Sequence, residues 1–440
     1  MSIINRFVSL FGSKPSVPAI VFGRYSDVYK TPFQQAAWNK SVVLFEEGRA
    51  LESYKELMVF LRDETADNLR WEVSEKGLQF ECWQGSRRIT GFADRDRIRM
   101  ESRIAWAPDL NVVFMRRLAE QNFRLRYARF ALTPDNCLAI VYDSHTQDGA
   151  PYKVLQALRE LAINADKQDD ILLDEFKNLR PVEEDLRISA LPETERQIKI
   201  AYLRSQIEVI MEALAAGKPD PSRFPGGYVY LMLGTAFRID YLVRPEGYVM
   251  DALEQLYQSY FARDERAQTA KIELMKKIWL KIAGRDDETL AKELYRTRST
   301  FGINPGVGHD RVQALIDAEL PKMDWYIDQG HPEIMSMAIA RYTVGYGLYH
   351  YAPPPPDSAF FHLFYRITEQ DYFRQLGYND TFITAEGKLQ KSHIEKAVQA
   401  IADEWSGRFP RLKPRYQQLV YDSLPTFSRS YLRMVQQTEL

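Results

Sequence analysis

Residues 69–82 have the sequence LRWEVSEKGLQFEC, and their pattern decides the fold of the first half of the chain. Apolar residues alternate with polar ones on both sides of a central Lys76-Gly77 pair, at Leu69, Trp71 and Val73 and again at Leu78, Phe80 and Cys82. A period of two is that of a strand with one buried face, and a glycine-containing pair between two such runs is typical of a hairpin turn. We therefore predict two antiparallel strands.

Further helical and strand patterns lie on both sides of this hairpin. A helical pattern precedes it, from Gln34 to about Arg62 with an interruption at Gly48. After the hairpin come a strand-rich stretch at residues 87–106 and a helix that begins at Pro108. Two strands, at 123–132 and 137–142, and a long helix from Pro151 complete the segment. The predicted order over about residues 49–176 is α-β-β-β-α-β-β-α. Grouped strands with few interleaved helices indicate an α+β fold, with an antiparallel sheet and helices on one face.

The second half of the chain has a different pattern. Beyond about residue 181 the alternation disappears, and apolar residues recur at helical spacing between segments rich in glycine and proline. No repeat of fixed period is present, so we predict an irregular all-α domain. The predicted organisation is an N-terminal arm and helix over residues 1–48, an α+β domain over 49–180 and an all-α helical domain over 193–440.

Composition restricts the class of partner. The 440 residues include 58 Lys plus Arg and 60 Asp plus Glu, a net charge of −2, so whole-molecule charge does not favour nucleic acid. No run of about eighteen apolar residues suggests a membrane span, and no secretory leader is evident. Cys82 and Cys137 lie in apolar runs and are expected to be buried thiols rather than a disulfide. We expect a cytoplasmic protein.

The motifs that usually identify enzymes are missing from the sequence. It contains no phosphate-binding glycine loop ending in Lys-Ser/Thr, no Gly-x-Ser-x-Gly, no His-Glu-x-x-His and no Cys-x-x-Cys. Six histidines and two separated cysteines make a conventional zinc site difficult to build. We predict no catalytic residues, no cofactor and no metal.

The last helix of the α+β segment carries a family resemblance. Residues 158–176 have the sequence LRELAINADKQDDILLDEF, and the core Ala-Asp-Lys-x-Asp-Asp at 165–170 resembles the sensory-regulator-like branch of the type III secretion chaperone-like superfamily. The order of elements over about residues 49–176 is similar to the same superfamily. The resemblance implies a bacterial, dimeric, non-catalytic module that binds extended protein segments. It does not extend to the C-terminal half.

Arginines are concentrated in the strand segments of the α+β region. Arg97, Arg99 and Arg103 share one parity in the third strand segment, and Arg124 and Arg126 do so in the predicted fourth strand. With Trp83 they form the predicted protein-binding site, because guanidinium groups suit carboxylates. An acidic segment could dock there, such as residues 166–175 of a second subunit. The alternative is a solvated face paired with nearby carboxylates, at Asp94, Asp96, Glu101 and Glu120. Nucleic acid is a weaker alternative, since stacking aromatics are few.

An aromatic, proline-rich stretch marks the helical half, at residues 345–365. His350, His362, Glu369 and Asp371 could converge there as acid–base groups or metal ligands. The alternative is a stiff connector whose aromatic rings pack between helices.

These observations lead to one functional prediction with two alternatives. We predict a non-catalytic protein-binding adaptor or chaperone-like module, acting through a sheet surface and a helical domain, with a protein client and a homodimeric state. The first alternative is an enzyme or small-ligand binder with a site near His350 and His362. The second is a structural subunit of a larger assembly.

Overall fold

The computed structural model describes Gly23 and residues 29–64, 66–108, 112–182, 188–302 and 306–440. The chain forms two compact units. The first, here called the sheet unit, comprises Arg24–Ala190 and Tyr295–Gly302, and the second, the helical unit, comprises Leu191–Leu294 and Ile303–Leu440 together with the N-terminal residues up to Gly23. Most of the predicted N-terminal arm lies outside the described residues.

The sheet unit is a mixed α+β structure. Its helices are α1 (Pro32–Glu46), α2 (Ala50–Leu61), α3 (Val112–Arg124) and α4 (Pro151–Glu175). Its longer strands are β1 (Leu69–Ser74), β2 (Gly77–Gly85), β3 (Arg87–Ala93), β4 (Arg97–Trp106), β5 (Arg129–Leu132) and β6 (Cys137–His145). Three short strands are β7 (Arg180–Pro181), β8 (Ser189–Ala190) and β9 (Tyr295–Arg296), and a fourth, β10, is Arg298–Ser299.

The six longer strands form one antiparallel sheet in the order β1-β2-β3-β4-β6-β5, and β8 and β9 form a separate pair. The predicted hairpin is present, with Trp71 opposite Phe80. Its turn consists of Glu75 and Lys76, one residue earlier than predicted, and Gly77 is the first residue of β2.

The parity that includes Leu78, Ile98 and Ile140 is buried, as the alternation of apolar residues requires. In β6 both parities are buried from Cys137 to Tyr142. These side chains pack against apolar residues of α2 and α4, so both helices cover the same face of the sheet.

Two strand predictions need correction. The stretch 87–106 is two strands, β3 and β4, because the Asp94 carboxylate accepts hydrogen bonds from the backbone N–H groups of Asp96 and Arg97 and closes a turn between them. Four strands therefore precede α3, one more than predicted. The predicted strand 123–132 is only Arg129–Leu132, since α3 continues to Arg124.

Helices α1 and α2 are separated at Gly48, where the interruption was predicted, and Gly48 has a φ of 77°. Ser41 and Ser53 hold the two helices at close range, because each side-chain hydroxyl donates to the other residue's backbone carbonyl, at 2.8 and 2.7 Å. Both serines are buried. This pair therefore satisfies its polar groups inside an apolar contact.

The helical unit consists mainly of α-helices that share one large apolar core. They are α5 (Glu193–Ala216), α6 (Pro225–Leu242), α7 (Gly247–Phe261), α8 (Gln268–Ala283), α9 (Asp287–Lys292), α10 (His309–Asp328), α11 (Met337–Tyr346), α12 (Pro355–Thr368), α13 (Gln370–Gln375), α14 (Lys391–Trp405) and α15 (Leu424–Gln437). Two π-helical turns, Pro332–Ser336 and Gly347–Tyr351, flank α11.

The range 193–440 was predicted to be all-α, but it is not entirely helical. It contains β9 and β10, and both belong to the sheet unit: β9 pairs with β8, and β10 pairs with β2. The sequence signal was too short to detect, because each strand has only two residues. Among the described helices, none is both long enough and apolar enough to cross a membrane.

Candidate functional site

The predicted arginine surface lies on the face of the sheet opposite α2 and α4. Arg97, Arg99 and Arg103 share that face, since they stand opposite alternate residues of β6 in the register of the β4–β6 pair. A groove of about 630 Å³ crosses it, lined by Arg70, Trp71, Glu72, Gln79, Phe80, Glu81, Thr90, Gly91, Phe92, Arg99 and Glu101. The groove therefore carries both signs of charge.

Carboxylates in the same unit neutralise this face. Arg99 contacts Glu101 at 2.8 Å, Arg103 contacts Asp135 at 2.5 Å, and Arg88 contacts Glu81 at 3.2 Å. Such a pattern favours a solvated face with cross-strand pairs over a uniformly basic one.

Of the carboxylates that were predicted to pair with the arginines, two contact an arginine and one closes a turn instead. Glu101 contacts Arg99, and Glu120 contacts Arg116 within α3, at 3.2 Å. Asp94 instead closes the β3–β4 turn. Asp135 and Asp143, which contact Arg103 and Arg129, were not anticipated, because they come from β-turn and strand positions that only the register brings opposite the arginines.

Of the remaining predicted binding residues, the two arginines do not belong to this face, and Trp83 shares the face by register but is buried. Arg124 ends α3. Arg126 lies in the α3–β5 connection, where its backbone N–H donates to Glu160 of α4. Trp83 has only 5% of its surface exposed. The prediction failed for the two arginines because the helix extends through residues that were assigned to a strand.

Arg87 and the acidic part of α4 form a buried cluster. Asp169 accepts hydrogen bonds from Arg87 Nε and Ser86 Oγ, both at 2.5 Å, and Asp166 accepts one from the Ser86 backbone N–H at 3.0 Å. The Arg87 and Asp169 side chains are essentially unexposed. These two carboxylates, predicted to dock onto a second subunit, thus bind the β2–β3 turn of their own chain.

Gly85 explains why that turn can meet α4. Its φ is 55°, a left-handed conformation, and a Cβ built there would lie 1.5 Å from a carboxylate oxygen of Asp166. Any larger residue here would be strained at this φ and would displace the Asp166 carboxylate from the turn.

The two histidines of the alternative site occupy separate aromatic surroundings. The His350 ring packs against Phe237, Tyr257 and Tyr346, with centroids 5.5, 4.3 and 4.5 Å away. Burial lowers its pKa to about 4. His362 lies near Tyr241 and Phe373, with centroids 6.2 and 6.0 Å away.

For His362, burial first and then the charge of Arg366 lower the pKa to about 3. Both rings are therefore neutral at pH 7. This placement matches the alternative interpretation of the aromatic stretch, in which its rings pack between helices.

Glu369 belongs to a buried ionic cluster with two arginines. It contacts Arg238 at 3.1 Å and Arg341 at 3.2 Å, and Tyr202 donates a hydrogen bond to it at 2.9 Å. Burial disfavours the carboxylate, but the two guanidinium groups outweigh that effect and hold the pKa of Glu369 below its ordinary value.

Asp371, two residues later, is 85% exposed and contacts Arg374. Glu369 and Asp371 therefore have different surroundings. Within the described ranges, no three His, Cys, Asp or Glu side chains are grouped so as to hold a metal ion.

A histidine–aspartate pair in the helical unit was not anticipated. His309 Nδ1 lies 2.9 Å from both carboxylate oxygens of Asp357, and its Nε2 lies 2.6 Å from the backbone carbonyl of Thr438. Both ring nitrogens lie at hydrogen-bond distance from oxygen atoms, an arrangement that suits an imidazolium with two N–H donors. Burial opposes the charge, but the hydrogen bond and charge of Asp357 raise the pKa of His309.

One side of α3 in the sheet unit carries a row of exposed apolar residues. Val112, Met115, Ala119 and Phe123 follow each other at intervals of three or four residues and are exposed; Val112 is 83%, Met115 49% and Phe123 93% exposed. We call these four residues the α3 stripe. The opposite side of the helix buries Phe114 and Leu118. The sequence contains this pattern, because apolar residues occur on two sides of α3. From the sequence, only the side that packs against the core was assigned a role.

The α3 stripe continues toward the edge of the sheet. β5 is the last strand in the sheet order. Tyr127, which precedes it, and Leu132 at its end are 39% and 44% exposed. The backbone of β5 is already paired at this edge, because the Phe130 N–H donates to Asn122 Oδ1 at 2.6 Å and the Phe130 carbonyl accepts from Asn122 Nδ2 at 3.2 Å. The exposed side chains, and not the backbone groups of Phe130, are therefore open to a partner. The α3 stripe, with Tyr127 and Leu132 beside β5, is therefore a candidate surface for a protein partner.

Comparisons with known proteins add no family. No protein-family model matches the sequence, and a search of curated proteins found no match.

Proposed function

We propose that the protein is a non-catalytic protein-binding adaptor that associates with a second copy of itself through the α3 stripe. The observation that carries this proposal is the exposure of Phe123, Val112 and Met115 along one side of a single helix. Apolar side chains in a contiguous row cost free energy in water and mark a contact surface.

The charges beside the stripe fit a twofold contact. Arg116 and Glu120 are one turn apart on the exposed side of α3. If two α3 helices pack antiparallel with their centre level with residue 118, Arg116 of one copy faces Glu120 of the other, and the reverse holds by symmetry. The same arrangement places Phe123 beside Val113 of the second copy. The surface is therefore complementary to itself in both charge and apolar character.

The β5 edge gives this contact more area. A helix pair alone is smaller than the roughly 800 Å² per partner of a stable interface. Contact of the half-exposed Tyr127 and Leu132 side chains with the second copy adds apolar area at this edge. An adaptor of this kind holds clients at the surfaces that the self-association leaves free. Action as a chaperone-like module in the cytoplasm is part of the proposal.

The test is the mass of the protein in solution. Size-exclusion chromatography with light scattering is expected to give a dimer for the full chain. Phe123→Asp and Met115→Asp should each shift the mass toward the monomer, because a buried carboxylate without a partner opposes association. Val73→Asp, at an exposed position of β1 outside the stripe, is the matched control and should leave the dimer intact.

Three results would contradict the proposal. The first is a monomeric wild-type chain at all concentrations. The second is a dimer that survives both stripe substitutions. The third is a dimer lost equally in the Val73→Asp control, which would indicate that charge anywhere on the unit disrupts association.

The other two functional predictions stay predictions. An enzyme or ligand site near His350 and His362 would need a polar partner for rings that lie among aromatic side chains. A structural subunit would need a further apolar surface on the helical unit.

A further inference from the structure

A segment from the second half of the chain forms part of the sheet. Arg298 and Ser299 of β10 pair antiparallel with Gly85 and Gln84 of β2. The Thr300 backbone N–H continues the ladder by donating to the Trp83 carbonyl at 3.2 Å. β1 covers the edge of β2 only as far as Cys82, which stands opposite Leu69. The segment covers the part of the same edge that follows, at Gln84 and Gly85. We call residues 298–302 the strap.

The strap is held by side chains that contact its backbone. Gln84 Oε1 accepts a hydrogen bond from the Phe301 N–H at 2.8 Å, and Gln84 Nε2 donates to the Phe301 carbonyl at 3.3 Å. Arg159 of α4 donates to the Gly302 carbonyl at 2.6 Å. Gln84 thus binds both backbone groups of one residue, as a neighbouring strand would. Such contacts do not depend on the side chains of the strap.

Two side chains of the strap are recognised individually. The Thr300 hydroxyl donates to the Trp83 carbonyl at 2.7 Å and accepts from Asn68 Nδ2 at 3.2 Å. Phe301 is 6% exposed and belongs to the apolar core of the sheet unit. The hydroxyl is matched by polar partners and the ring by an apolar pocket, which is how strand-adding peptides obtain specificity.

We propose that the edge of β2 at Cys82–Gly85 is a strand-docking site for an extended Ser-Thr-Phe-Gly segment. The strap is its intramolecular ligand, and a partner chain with the same segment competes for the site. The backbone contacts of Gln84 and Arg159 supply affinity for any extended chain. The pockets for Thr300 and Phe301 supply the selection. This proposal concerns a surface other than the α3 stripe and does not depend on self-association.

The test supplies the segment as a separate molecule. A fluorescein-labelled peptide with the sequence of residues 295–302, YRTRSTFG, is titrated with the full-length protein, and binding is followed by fluorescence anisotropy. In the wild type the strap competes at the high effective concentration of a tethered ligand. Phe301→Ser removes the ring that anchors the strap and frees the site. The variant is expected to bind the peptide at least about tenfold more tightly than the wild type.

Two controls locate the binding. A peptide with serine in place of its phenylalanine should lose about tenfold in affinity for the Phe301→Ser protein, because the apolar pocket stays empty. Adding Gln84→Ala to the Phe301→Ser protein should weaken binding of the original peptide by a similar factor, because two backbone hydrogen bonds are lost. Peptide binding that is insensitive to both changes would place the ligand elsewhere and overturn the proposal.

The folding of the variant decides how the result is interpreted. If Phe301→Ser is folded by circular dichroism and binds the peptide no better than the wild type, the proposal is wrong. If the variant is unfolded alone, the peptide should restore the folded spectrum, and failure to do so would also overturn it. Neither result depends on the oligomeric mass, so failure here is distinct from failure of the α3 contact.

Discussion

The outer face of the sheet and the interior of the helical unit both carry arginine–carboxylate contacts, but in different surroundings. Arg99 and Glu101 meet at the surface, where water already solvates both charges. Glu369 meets Arg238 and Arg341 where its own side chain is only 7% exposed. Water screens the attraction between Arg99 and Glu101. It does not reach Glu369 well enough to solvate the charges if the contact is lost. A surface with many arginines can therefore be nearly neutral in effect, while a single buried carboxylate controls the stability of its surroundings.

The largest effect is expected from Glu369→Gln. The substitution keeps the shape but leaves the buried charge of Arg238 and the partly exposed charge of Arg341 without their carboxylate, so unfolding should become easier by about 4 kcal/mol. Urea-induced unfolding followed by circular dichroism measures the change. Asp371→Asn, at a mostly exposed side chain, is the matched control and should change stability by less than about 0.5 kcal/mol. Equal effects of the two substitutions would remove the distinction between buried and exposed contacts.

The same cluster predicts a response to acid. The pKa of Glu369 is held below its ordinary value, so its contribution to stability is present above the ordinary carboxyl pKa of about 4.3 and is lost as the pH falls through the lower, folded value. Wild type should therefore lose stability more steeply below about pH 4 than Glu369→Gln does. Parallel acid profiles for the two proteins would contradict this account.

A somewhat smaller loss is expected from Asp169→Asn in the sheet unit. Asparagine can still accept a hydrogen bond, but the buried Arg87 loses its counter-charge, so we expect a destabilisation of about 3 kcal/mol. Glu120→Gln, in the exposed contact within α3, is the control and should have little effect on the unfolding midpoint. An Asp169→Asn protein as stable as the control would show that the β2–β3 turn does not need the charge.

A pH-dependent effect is expected from His309→Gln. The pKa of His309 is raised, so its contribution is complete below about pH 6.5 and is lost as the pH rises through the folded value. Asp357 faces the ring and Asp310 lies on the same helix, and both charges favour the imidazolium. At about pH 6 the variant should be less stable by roughly 1–2 kcal/mol. Thermal unfolding between about pH 6 and pH 9 should show a decline in the wild type that the variant lacks.

The smallest effect is expected from Arg99→Ala. Its side chain is 63% exposed and its contact with Glu101 is screened by water, so stability should change by less than about 0.5 kcal/mol. Arg103→Ala should cost more, since Arg103 also lies over the Trp106 ring, 4.7 Å from its centroid. Unfolding midpoints of the two variants test the order. A larger loss for Arg99 would show that the open face contributes more than exposed pairs usually do.

Local patterns predicted much of the sheet unit. Period-two alternation placed β1 and β2, and it placed Arg97, Arg99 and Arg103 on one face, because side-chain direction in a strand depends only on parity. The β3–β4 turn was missed because Asp94 closes it without glycine or proline. The position of Arg124 was missed because a helix that is apolar on two sides resembles a strand at its end.

Contacts between distant residues could not be predicted in this way. The Asp169–Arg87 contact spans 82 positions, and the Phe301–Gln84 contact spans 217. No periodicity in a single sequence connects residues so far apart. The separate surroundings of His350 and His362 were equally hidden, because a π-helical turn, prolines and part of a helix lie between them.

The sequence by itself determined the α+β character of the first half, the helical character of most of the second and the faces of individual strands, because hydrophobic periodicity acts within a few residues. Tertiary structure alone decided which charges are paired, which aromatic rings are buried and where the strap lies. Those outcomes depend on strand register and packing, which bring together groups that are remote in the chain and set the water around each of them. The same arginine side chain is therefore nearly neutral for stability on the open sheet and indispensable beside a buried carboxylate.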